Sequence, residues 1–96
     1  MIPDRLQYIK KNQYPYITSE MLNIDKGEKY TLDELSFIVE NFSVSLKVIL
    51  KTQFLTAEFC KEYILNEFYA VTELDNYITK EDIVEYQSHI KMNELE

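Results

Sequence analysis

Cys60 and His89 are the only residues of their types in the chain, and they are the side chains best suited to nucleophilic or metal chemistry. Together they fall short of a tetrahedral zinc site, which takes four ligands mostly of these two kinds. A lone cysteine also excludes an internal disulfide. The acidic stretch Asp25-Lys26-Gly27-Glu28 lacks the alternating ligand order of a calcium loop. A Ser-His-Asp triad would have to use His89, which sits near Lys91 and reads as a plain surface or half-buried side chain. Cys60 stands among Phe59, Tyr63 and Ile64 and reads as a small core residue rather than a nucleophile. With a single glycine, Gly27, the chain cannot build a Gly-rich phosphate cradle. Paired carboxylates could do acid–base work, but a small helical protein rarely offers them a deep cleft. The expectation is therefore a non-enzyme that uses no metal and no cofactor.

The elements that must carry any other function are helical. The chain has 96 residues, 46% of them apolar and 14% aromatic. That is enough apolar surface to offset chain entropy in one small domain spanning residues 1–96. Tight hairpins want Asn-Gly or similar pairs, and none is present. An all-α fold follows, a compact bundle of five or six short helices. Thr recurs just before the periodic segments, as an N-cap should. Thr31-Leu32-Asp33-Glu34 has the full capping-box form, and Thr56, Thr72 and Thr79 repeat it more loosely. The spacing predicts helices over 3–12, 18–24, 32–41, 44–52 (capped by Ser43), 56–70 and 80–92, with a short turn at 72–77. Pro15 should force Tyr14 out of helix, and Gly27 should end the second segment. Leu35, Ile38, Val39 and Phe42 share one face. Phe54, Phe59, Phe68 and Tyr69 are expected in the core or a dimer interface. Tyr14, Tyr16 and Tyr30 cluster near turns, as core edges or as an exposed patch.

Charge divides the chain. Residues 1–52 carry seven basic and seven acidic groups, whereas 53–96 carry three and ten, which is the whole net charge of −7. Such a split fits a solvated surface, or separate roles in which the first half meets a polyanion and the second a basic partner. No apolar run approaches the roughly 18 residues of a membrane span. The opening residues lack a signal pattern, and with a lone thiol this points to the reducing cytoplasm.

The stretch from Ile24 to Leu35, continued by Ile38, Val39, Asn41, Phe42 and Ser43-Val44-Ser45-Leu46, resembles the Cro/C1-type (XRE) helix-turn-helix family over about residues 17–50. In that family a recognition helix precedes a capped Thr-Leu-x-x-Leu-x-x-Ile helix and a Val-Ser-Leu turn. The resemblance implies a small cytoplasmic transcriptional regulator, working as a dimer on duplex DNA. Thr18, Ser19 and Asn23 would present short polar groups to bases, and Lys26 and Lys29 would touch phosphates. Two departures stand out: too few residues precede Ile17 for the usual two helices, and Tyr14-Pro15-Tyr16 replaces the Ala-x-x-x-Gly-Val turn. The alternative is a protein-binding regulator (antirepressor, inhibitor or DNA mimic) whose acidic C-terminal helices meet a basic protein surface.

Overall fold

Four hydroxyls start the four α-helices. In the computed structural model, which describes residues 2–96, these are α1 (Leu32–Asn41), α2 (Leu46–Thr52), α3 (Ala57–Phe59) and α4 (Lys80–Tyr86). Thr31 Oγ1 accepts from Glu34 N while Glu34 Oε1 accepts from Thr31 N, at 3.2 and 2.8 Å. Thr79 and Asp82 repeat the exchange at the start of α4. Thr56 caps α3 through Phe59 N. Each exchange satisfies amides that no intrahelical carbonyl can reach. α2 begins two residues later than expected, because Ser45 rather than Ser43 accepts from Lys47 N. Ser43 instead donates to the Pro15 carbonyl.

α3 runs directly into a π-helical turn, Cys60–Ile64, closed by Leu65 N donating to Cys60 O at 2.9 Å. Counting that turn, there are five helices, joined by six 3-10 stretches and no strand among the described residues. The all-α reading holds. The helices are shorter than their apolar pattern suggests, however. The segment expected as helix over 56–70 stops at Ile64 and resumes as a 3-10 turn at Glu67–Tyr69. The one expected over 80–92 stops at Tyr86, where Gln87 turns inward, and a 3-10 turn follows at Met92–Leu95.

One apolar cluster threads both halves, from Leu6 and Leu22 through Leu35, Ile38, Ile49 and Leu50 to Ile64, Ile83 and Leu95. The α1 face lies as expected, with Leu35, Ile38 and Val39 buried and Phe42 beside them. Packing overrides local signals at the N-terminal end. The helix expected over 3–12 is a single 3-10 turn at Asp4–Leu6. A second 3-10 stretch, Lys11–Tyr16, passes through Pro15 instead of stopping before it. Tyr14 is held inside that stretch because its ring meets Phe37 and Phe42 edge-on, at 5.6 and 5.3 Å.

The largest correction falls on residues 18–24, which form one turn rather than a recognition helix. Ile24 N bonds Ser19 O and Asn23 N bonds Glu20 O, both at 3.0 Å, with Asn23 left-handed at φ 58°. This is a Schellman closure, and Asn is the non-glycine residue that tolerates it. The motif then repeats at once. Glu28 N bonds Asn23 O, Gly27 N bonds Ile24 O, and Gly27 sits at φ 97°. Gly27 terminates the segment as expected, but Asn23 has already done so four residues earlier.

Candidate interaction surfaces

The side chains expected at DNA occupy this double turn. Thr18, Asn23, Lys26 and Lys29 are exposed, and Ser19 is half-buried. Ser19 Oγ donates to Asp25 Oδ2 at 3.3 Å. Asn23 serves the turn through its backbone. Lys29 Nζ donates to the Thr52 carbonyl, so its amine is held at the last turn of α2. Arg5 is neutralised locally: it pairs with Glu28, lies 3.5 Å from Glu34, and packs over the Tyr30 ring. With the Arg5–Glu28 pair set aside, Glu20 and Asp25 stand against Lys26 and Lys29, so the segment offers a phosphate no net positive charge.

A second surface is apolar, and Phe68, expected in the core or a dimer interface, lies on it outside the core. Phe68 is 84% exposed, Leu74 67% and Tyr77 70%, with Val71 exposed between them. Two short 3-10 turns, Glu67–Tyr69 and Glu73–Tyr77, carry Phe68, Leu74 and Tyr77, with extended backbone at Ala70 and Thr72 between. Only Leu74 and Tyr77, three residues apart within one 3-10 turn, share an outer side. No Lys or Arg occurs between Lys61 and Lys80, while Glu62, Glu67 and Glu73 do.

Asp75 fixes this stretch to the body of the protein. It is 4% exposed. Its Oδ1 accepts from Ser45 Oγ at 2.8 Å and Lys47 N at 3.2 Å. Its Oδ2 accepts from Leu46 N and Val71 N, both at 3.0 Å, and more loosely from Thr72 N. One carboxylate therefore caps α2 in trans and starts the 3-10 turn in cis. Burial alone would raise its pKa, but the donors from Val71, Ser45, Leu46 and Lys47 outweigh it and hold the carboxyl below the ordinary 3.8.

The chemistry-capable pair is dispersed. Cys60 is buried, and burial pushes its thiol up to about 12, which makes it an inert core residue as expected. His89 is exposed and stacks on Phe54 at 4.2 Å, with Nε2 bonded to the Leu55 carbonyl. No group of three His, Cys, Asp or Glu side chains is placed to hold a metal ion among the described residues. No helix there is long and apolar enough to cross a membrane. Comparison with known proteins gives no match to a family model, to a curated protein or to a solved structure.

Proposed function

We propose that this protein is a binding regulator that docks a partner protein's basic surface on the Phe68–Tyr77 stretch of its acidic half. The observation that carries the reading is the run of four large exposed apolar side chains in a segment with no basic residue between Lys61 and Lys80. Scattered exposed apolar residues are ordinary, so the reading rests on four of them falling within ten residues, two on one turn. These side chains are already partly covered, so burying the rest is worth roughly 4–8 kcal/mol. Association costs about 4–15 kcal/mol. The apolar term alone thus sits near break-even, and charge complementarity with Glu62, Glu67 and Glu73 selects which partner stays bound. Two acidic faces of this kind repel each other, so a heteromeric partner suits the surface better than a second copy of the chain.

The DNA reading draws on the exposed Thr18, Asn23 and Lys26, but it lacks the helix that would carry them into a groove. Photocrosslinking separates the readings. A benzoylphenylalanine replacing Phe68 or Leu74 should give one salt-sensitive adduct with a basic protein in cells. The same group replacing Met21, itself exposed in the double turn, should not. Equal labelling from all three positions, or a duplex-DNA gel shift lost on Lys26→Glu with Lys29→Glu, would overturn the docking assignment.

A further inference from the structure

A cleft of about 410 Å³ opens between the turn after Gly27, the end of α2 and the residues following α4. In a chain of net charge −7, none of its ten lining residues is acidic. It contains Lys29, Lys51 and His89, together with the rings of Tyr30, Phe54 and Tyr86. These residues come from three distant parts of the sequence, and two buried glutamines hold the parts in register. Gln53 Oε1 accepts from Tyr30 N while its Nε2 donates to Glu28 O, at 2.9 and 3.0 Å. Gln87 Nε2 donates to Leu50 O and Gln53 O, and its Oε1 accepts from Leu55 N. Every polar atom of both amides is used within the fold, so neither amide is left over for a ligand.

The cations have a local role that does not exhaust them. Lys29 gives one of its three ammonium donors to Thr52 O at the negative end of α2. Lys51, in the last turn of α2, sits 5.7 Å from the Tyr86 ring centre. Phe54 rests one face on His89 yet remains 69% exposed. A flat apolar ring left open beside two partly used ammonium groups suits a ligand that is both planar and anionic.

We propose that this cleft binds a mononucleotide-like ligand, an aromatic ring bearing a phosphate, with the ring against Phe54 and the phosphate held by Lys51 and Lys29. The volume lies within the roughly 300–1,000 Å³ of small-molecule sites. Ring stacking and charge-assisted hydrogen bonds are the two interactions on offer. The chain's overall negative charge gives no steering, so recognition depends on these short contacts and is screened beyond about 8–10 Å. The site is independent of the docking stretch, and either assignment can fail alone.

The test is an amide-resonance titration of the full chain with adenosine monophosphate, adenosine and inorganic phosphate in parallel. The monophosphate should move the resonances of Gln53, Phe54, Ser88 and His89 and saturate, with the other two probes about tenfold weaker each. Lys51→Gln should weaken the monophosphate about tenfold. Phe54→Ala should erase its advantage over phosphate. Both side chains are exposed, so unchanged circular dichroism is expected and makes the comparison interpretable. Silence of the cleft resonances at ~10 mM monophosphate, equal binding of bare phosphate, or full affinity in Lys51→Gln would each overturn the proposal.

Discussion

Replacing Asp75 tests how one carboxylate can hold two elements at once. In Asp75→Ala, Leu46 N and Val71 N lose their only acceptor, and Ser45 Oγ and Lys47 N lose their shared one. Each buried donor left without a partner costs about 1–3 kcal/mol, so the stranded Leu46 and Val71 amides imply roughly 2–6 kcal/mol. A domain of this length holds about 5–14 kcal/mol in all. Asp75→Asn should be milder. Its NH₂ can take the Oδ1 position, where the Ser45 hydroxyl reverses to accept and Lys47 N keeps Ser45 Oγ at 3.2 Å. What remains is the lost charge and the lost bond from Lys47 N, which now faces an NH₂ donor, together about 2 kcal/mol. Urea unfolding followed by circular dichroism and tyrosine fluorescence reads both values. The pH dependence gives a second check. The native carboxyl is held below 3.8, so its contribution is complete above the unfolded-state value and drains away as pH falls through the native one. Asp75→Asn should lose that acid limb. Asp75→Ala within 1 kcal/mol of the parent, or an unchanged acid limb in Asp75→Asn, would refute the reasoning.

Gln87→Met keeps the volume but strands Leu55 N and removes the donor to Leu50 O and Gln53 O, so urea unfolding should show a loss of about 3 kcal/mol. Cys60 should resist a disulfide-exchange reagent at pH 8 in the native state and react fully on unfolding, because its thiol is buried with a pKa near 12; rapid native labelling contradicts the burial. Gly27→Ala meets open space but must take φ 97°, and should cost about 1–2 kcal/mol by thermal unfolding. Phe68→Ser with Leu74→Ser should leave stability within about 0.5 kcal/mol while abolishing the crosslinked adduct, since neither side chain is packed in the core.

Helix starts were legible because caps are local. Thr31 with Glu34, Thr79 with Asp82 and Thr56 with Phe59 N each work within four residues of chain, and the hydroxyl or carboxylate is visible as a residue type. The start of α2 was displaced because its decisive acceptor, Asp75, lies about thirty residues away. Helix lengths were less legible for the same reason. Gln87 ends α4 to reach the backbone of Leu50 and Gln53, a demand that periodicity cannot express. Residues 18–24 misled because Asn23 is an acceptable helix residue and also a tolerable left-handed one, and the structure uses the second property. Thr18 and Lys26 are exposed as expected, but on a turn.

The two candidate sites failed to show in the sequence for opposite reasons. The docking stretch is contiguous in sequence, but it is two short 3-10 turns joined by extended residues, a shape that helical periodicity does not express. Phe68 looked like a core residue because a fifteen-residue helix over 56–70 would have turned it inward. Once the π-helical turn closes at Ile64, Phe68 is left outside. The cleft is discontinuous. Lys29, Lys51 and His89 are ordinary residues in ordinary places until Gln53 and Gln87 bring their segments together. The charge split along the chain describes the docking stretch well, because that surface is local. It says nothing of the cleft, where two lysines from the neutral half meet a histidine from the acidic half. Net charge per segment is therefore a guide only to sites built from one segment, and the amides that cross-link segments decide the others.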